Sequence, residues 1–299
     1  MTNILKRIGS KRLFIICTLL PAGIILFMLT FYPFLLNVWN SLFDYELISP
    51  ESKPFIGLMN YKWVLLDPLF LNGLRLTIYY VSFAVILELI IGVFVAYMLS
   101  QISRGGGILR ALLLLPMAAT PVAVGLTWRL MYNPRSGLLN EWLRMIGSEG
   151  FMWTSSNRWV IPSLVLVDVW QWTPFVILIM LAGFLALPKE PIEAAEIDGA
   201  SKFQVFLHIS IPSLKPLIII AALFRIIDSL KVFDIIWVMT AGGPGYASTT
   251  LNVLAFRMGF EFMHMGRASV TVIFILIIAI LVSTPLMRWG RIHILEERY

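Results

Sequence analysis

From Leu13 to Phe43 this chain carries no Asp, Glu, Lys or Arg, and the same holds from Ala268 to Met287. A helix needs about 20 apolar residues to cross a bilayer core, and both runs are long enough. Hydrocarbon offers the backbone no hydrogen-bond partner, so such segments must satisfy their own amides, which helices do internally. Composition agrees: charged residues are 13% of the sequence, against roughly a quarter in soluble domains. The expectation is an all-α, multi-pass membrane protein forming one domain over residues 1–299.

The apolar pattern places six spans near 13–40, 71–100, 108–132, 159–187, 213–240 and 267–288. Pro21 and Pro33 should kink the first, which membrane helices tolerate when neighbours satisfy the freed backbone. No small-residue cleavage site follows Lys6, Arg7, Lys11 and Arg12, so the first run reads as an uncleaved span. The single cysteine, Cys17, lies within it and can form neither an intramolecular disulfide nor a metal site.

A net charge of +6 could suggest nucleic acid, but in membrane proteins Lys and Arg collect on cytoplasmic loops and set topology. With the amino terminus inside, the inner segments hold Lys6, Arg7, Lys11, Arg12, Arg104, Arg110, Lys189, Lys202, Lys215, Arg288, Arg291 and Arg298. The outer segments hold fewer: Lys53, Lys62, Arg135, Arg144, Arg158, Arg257 and Arg267. Both termini are therefore expected in the cytoplasm. Trp63, Trp128, Trp142, Trp153, Trp159 and Trp237 then fall mostly near outer span ends, as an interfacial belt would.

The segment between spans four and five, 188–212, interrupts this apolar pattern with "EAAEIDGASKFQ". Pro188 ends span four, and Pro191 suits a first helical turn, where its missing N–H would be unpaired anyway. Glu193 and Glu196 are expected near that helix's positive end. Gly199 permits a sharp turn. Ser201 with Gln204 three residues on makes a capping-box pattern for a second helix, with Phe203, Phe206 and Leu207 on one face and Pro212 closing it. The result is a structured elbow whose Ala194 and Ala195 let another surface approach. An amphipathic helix of this kind can fit a partner's groove or rest on lipid headgroups; the pattern alone leaves both open.

Span five carries Arg225, Asp228, Lys231 and Asp234 at every third position with alternating sign. On a helix each neighbouring pair could interact, and a charge at membrane depth costs at least about 2.5 kcal/mol, so all four should face the interior or a wet cavity. Arg225, Asp228, Ser229 and Val232 share one face. They could brace the bundle or form a polar wall for a hydroxyl-rich solute. Glu88 in span two could pair with an interior base or another subunit, and Asp168 in span four is near enough to the outer end to face water. Intramembrane acids of this kind also serve proton-coupled secondary transporters, which would be self-sufficient, would not need the elbow, and should carry inverted repeats.

Nothing in the sequence supplies catalysis. No Gly-Lys dipeptide occurs, so there is no phosphate-binding loop of the GxxxxGK[ST] type. His208, His264 and His293 lie in separate segments and no HExxH metal motif is present.

The stretch "EAAEIDGASKFQVFLHISIP" resembles the EAA loop of permease subunits of binding-protein-dependent ABC importers. Glu193, Ala194, Ala195, Gly199, Ile209 and Pro212 match its pattern, and Asp198 and Ala200 its common extension. "LPAGIILFMLTFYPFLLNVWNSLFDY", "FIGLMNY", "LLLLPMAATPVAVGLTWRLMYNPRSGLLN" and "KVFDIIWVMTAGGPGYASTTL" are similar to segments of the carbohydrate-uptake branch, specifically its first, maltose-type permease partner. The resemblance implies a type I importer permease fold, with the elbow, including Phe203, as a coupling helix docked on an ATPase subunit.

It also implies a set of partners: a sister permease in a heterodimer, two ATP-binding subunits that hold ATP and Mg, an extracytoplasmic sugar-binding protein, and the bilayer, with no nucleic acid. The setting would be a bacterial or archaeal cytoplasmic membrane, and no cofactor or metal is expected on this chain. By the same similarity, Arg225, Asp228, Ser229 and Val232, with Gln171, Trp172 and Phe175 in span four, match positions that line the sugar path. The departure is the ionic pair Arg225 and Asp228, where the maltose-type site is mostly uncharged; this leaves room for another sugar or a polyol.

Overall fold

The computed structural model describes residues 18–102 and 106–296, with side chains through Trp289. Cys17, Lys6, Arg7, Lys11, Arg12, Arg104 and Arg298 lie outside the described residues, and the side chains of Arg291 and His293 lie outside those described. Among the described residues the main helices follow in this order. They are α1 (Thr18–Ser41), α2 (Met59–Leu66), α3 (Pro68–Ser100), α4 (Gly106–Ala118), α5 (Pro121–Met131), α6 (Leu138–Met145) and α7 (Val160–Ala186). Then come α8 (Glu190–Ile197), α9 (Lys202–Ser213), α10 (Lys215–Leu230), α11 (Asp234–Thr240), α12 (Leu251–Phe256) and α13 (Met265–Glu296). The described residues form no sheet, only two isolated bridges.

Among them, α1, α3, α7 and the Met265–Trp289 part of α13 are each long and apolar enough to cross a membrane. Two bent pairs, α4 with α5 and α9 with α10, raise the number to six if each counts once. The chain divides into two compact units, Met1–Leu66 with Ala255–Ile273, and Asp67–Leu254 with Phe274–Tyr299.

In the first unit Asn60 is fully buried and donates from Nδ2 to the carbonyls of Ser41 and Phe43, at 2.9 and 2.8 Å. This ties α2 to the end of α1 and to the loop that follows it. The apolar side chains of α1 from Leu19 to Phe31 are largely exposed, the state in which a lipid-facing helix is stable.

The second unit is built on α3 and α7, packed along their lengths. At Gly92 of α3 they approach tightly: a Cβ there would sit 2.6 Å from Val176 Cγ1. Tyr80, Ala84, Leu164, Val167, Val176 and Met180 are completely buried along this seam, and α10 packs on both helices.

Two span expectations and one elbow expectation need correction. The third span is not one helix: α4 and α5 meet at 93°. Thr120 is extended (ψ 141°) and its Oγ accepts from the Ala123 amide. The cause is Pro121, which pushes the residue before it out of the helical region and starts a new helix at its own first position. The fifth span stops at Leu230, and α11 begins afresh at Asp234. Finally, Pro212 does not close the second elbow helix, which runs on to Ser213 before bending by 68° into α10.

A widened π-turn at Phe206–Ser210 lets α9 pass Pro212, and one at Phe27–Phe31 lets α1 pass Pro33. A proline ring strikes the carbonyl four residues back in a regular helix. Here the amide preceding each proline bonds five residues back, Ile211 to Phe206 and Tyr32 to Phe27, so the ladder is reset without a break.

Candidate functional site

Two groups of residues stand out in the second unit: the exposed elbow and a buried ion cluster beside a recess.

The elbow forms from local chemistry. Leu187, ahead of Pro188, is extended and ends α7. Pro191 sits in the first turn of α8, with Glu190 and Glu193 beside it. Glu196 instead lies in the last turn, because α8 is only two turns long, so its expected place at the positive end is corrected. Gly199 adopts φ +85°, a left-handed conformation that side chains resist, and the Ala200 amide closes onto the Ala195 carbonyl at 2.9 Å. Ser201 then caps α9: its Oγ accepts from the Gln204 amide at 3.3 Å while Gln204 Oε1 accepts from the Ser201 amide at 2.8 Å. Both halves of the capping box are present.

The elbow's exposure is selective. Phe206 turns inward against the rings of Tyr97 (4.5 Å) and Phe184 (6.2 Å), tying α9 to the ends of α3 and α7. Ile197 is 87% exposed and Phe203 69%. Glu193, Ala194, Asp198, Gly199 and Pro212 are also exposed, while Ala195, Ala200 and Ile209 are half-buried. Ile197 and Phe203 are thus apolar side chains left bare on a polar segment.

The second group centres on Arg225, which α10 buries to 1% exposure. Its Nε donates to Glu88 Oε2 at 2.5 Å and its Nη2 to Glu88 Oε1 at 2.8 Å, a bidentate pair between α10 and α3. Nη2 also reaches Asp168 Oδ2 on α7 at 2.9 Å and Ser229 Oγ at 3.1 Å. Nη1 donates to Asp228 Oδ2 at 2.8 Å. The Trp172 ring lies 5.0 Å from the guanidinium carbon, within cation–π range. One cation thus joins three helices and three carboxylates.

Glu88 therefore takes an interior base as its partner. Asp168 does not face water: it is 2% exposed and held by Arg225, because the inward turn of α7 carries it to the three-helix junction.

The alternating ladder is corrected too. Only Arg225–Asp228 forms as an ion pair. The helix ends at Leu230, so Lys231 and Asp234 fall on either side of a break, exposed and making no ion pair among the described residues. Val232 also lies past that end, so it cannot share a helical face with Arg225.

A recess of about 150 Å³ nevertheless gathers Trp172, Asp228, Ser229, Lys231, Val232 and Asp234, with Asp168 at its wall. Pro121, Phe233 and Ile235 line it as well; the sequence reading missed these three, and the Thr-Pro dipeptide was the signal for the first. Gln171 and Phe175 do not line this recess. Gln171 is fully buried and donates from Nε2 to the Ala119 carbonyl at 3.1 Å, steadying the α4–α5 corner. Phe175 packs edge-on against Phe224. Gln171 projects about 100° around α7 from Trp172, whereas Phe175 shares the face of Asp168 and Trp172 and lies further along the helix, outside the recess.

Among the described residues, membrane-length apolar helices, a buried ion junction and an exposed polar elbow define an integral-membrane helical bundle. The chain belongs to the family of binding-protein-dependent transport system inner membrane components, matched over residues 3–294. It is 40% identical over 239 residues to the trehalose/maltose transport system permease protein MalF of Thermococcus litoralis, covering 80% of this chain and 81% of that one. Identity reaches 39% over 269 residues, 90% of this chain and 87% of the other, with a probable ABC transporter permease of Sinorhizobium fredii. In fold it matches a chain of a bacterial ABC transporter involved in import of the acidic polysaccharide alginate, with a TM-score of 0.83 at 19% identity, covering 97% of this chain and 98% of that one.

Proposed function

We propose that this chain is the membrane subunit of an ATP-driven importer for a sugar or polyol, forming half of the translocation path. Family membership and relatives named for trehalose/maltose transport support the class. The observation that carries the mechanism is that the elbow runs into the recess wall: α9 joins α10 at the single residue Leu214, and α10 bears Asp228 and Ser229. Movement imposed on the elbow therefore reaches the recess through one continuous piece of backbone.

In this reading the chain crosses the cytoplasmic membrane six times, by α1, α3, the broken α4–α5, α7, α10 entered from α9, and α13. Both termini and the elbow are cytoplasmic. Glu193, Ala194, Ala195, Asp198, Gly199, Ala200, Phe203, Ile209 and Pro212 form the ATPase-facing surface. ATP and Mg are held by two partner subunits, a sister permease completes the path, and an extracytoplasmic binding protein delivers solute. Trp172 offers an aromatic face to the C–H side of a sugar ring, and Asp228 and Ser229 take hydroxyls.

Ala194→Trp tests the docking. Ala194 is exposed, so the bulk is felt only by a partner. The variant should insert normally in membranes yet copurify with little ATPase and accumulate no solute in proteoliposomes. Uptake and ATPase retention at the unmodified level would overturn the assignment.

A further inference from the structure

We propose that Glu88 and Arg225, neither of which lines the recess, are positioning residues that set its solute selectivity; this rests on the recess being the solute path. Two chemically useful groups of the recess, the Asp228 carboxylate and the Trp172 ring, come from different helices. Both are referenced to the same guanidinium, one by a 2.8 Å hydrogen bond and the other by stacking at 5.0 Å. The plane of that guanidinium is not free. Glu88 grips it through both carboxylate oxygens, and a bidentate fork fixes orientation as well as distance. Asp168 holds the same Nη2 from α7.

A residue of α3 that does not line the recess thus dictates where an acceptor and an aromatic platform stand. Bracing alone does not call for this arrangement. The Asp228 side chain is 47% exposed and lines the recess, whereas Glu88 is fully buried. The tie of Asp228 to the fork gives the recess a fixed acceptor, which is what discriminates hydroxyl stereochemistry.

The test uses the assembled transporter in proteoliposomes, with uptake of labelled trehalose, maltose and glucitol each measured in excess over the binding protein. Glu88→Gln keeps the shape but weakens the grip; Arg225→Lys keeps the charge but loses the fork. Each should change the ratio of uptake rates between two of the solutes by about tenfold, the scale of one charged hydrogen bond. ATP hydrolysis stimulated by the binding protein should stay within about twofold. Asp228→Asn should give the same altered ratio, and adding Glu88→Gln to it should change nothing further, as residues acting through one contact do.

A uniform fall for all solutes, or failure of both Glu88→Gln and Arg225→Lys to assemble, would assign the pair to bracing and overturn the proposal. Trp172→Ala separates this from the reading beneath it. If that variant shifts the ratios while Glu88→Gln and Arg225→Lys do not, the positioning role alone is lost. If Trp172→Ala leaves them unchanged, or unmodified protein takes up none of the three solutes, the solute-path reading falls and the proposal with it.

Discussion

The elbow and the Arg225 cluster are both rich in charge, and they hold it in opposite media. Glu190, Glu193, Glu196, Asp198 and Lys202 of the elbow are exposed, and no long-range ion pair orders them among the described residues. Their role is surface chemistry, and exposed charges contribute little to stability. Glu88, Asp168 and Arg225 are at most 2% exposed and make three ion pairs at 2.5–2.9 Å with Asp228 included. There, removing one partner strands the others in a medium that cannot solvate them. The contrast teaches where a substitution should be felt: in the cluster as loss of assembly or altered selectivity, in the elbow as loss of coupling in a protein that still assembles.

The largest effect should come from Arg225→Met, which leaves Glu88 and Asp168 facing each other without a cation. Breaking such a buried pair costs about 3–5 kcal/mol, and little detergent-stable protein should be recovered on size-exclusion chromatography; a normal yield and melting temperature would break the comparison. Next is Gly92→Ala. Its Cβ would meet Val176 Cγ1 at 2.6 Å, and overpacking costs about 1–3 kcal/mol. Adding Val176→Ala should recover part of the lost melting temperature, which marks the effect as local crowding.

In the elbow, Gly199→Ala meets open space around its Cβ, so its cost is the left-handed backbone, about 1–2 kcal/mol. It should leave the global melting temperature alone while uptake per ATP hydrolysed falls. Ser201→Ala is the smallest change. It removes one half of the capping box, worth about 1 kcal/mol, and should appear as faster amide exchange over 202–206 with uptake reduced slightly or not at all.

The same contrast explains what could be read in advance. The elbow's determinants are neighbours in the chain: Pro191 starts α8, Gly199 turns, and Ser201 with Gln204 restarts the helix, all within a few residues. The elbow departs from its sequence reading at two points: Glu196 falls in the last turn of the short α8, and α9 runs past Pro212 because a widened turn upstream carries the helix by it. In the cluster, only Arg225–Asp228 is a neighbour pair, and only that rung of the expected ladder exists. Glu88 and Asp168 lie 137 and 57 positions from Arg225, and no periodicity within one helix can pair them.

The sequence by itself determined that the chain is helical and membrane-spanning, where its polar elbow lies, and how that elbow is turned and capped. Those depend on the composition of short windows, since backbone satisfaction, capping and left-handed turns are settled over a few residues. Only the tertiary structure decided that Asp168 faces inward, that Gln171 bonds the Ala119 carbonyl instead of lining the recess, and that one guanidinium collects three carboxylates. Those outcomes follow from how α3, α7 and α10 rotate about their axes as they pack, and that rotation is set jointly by the contacts of all three helices.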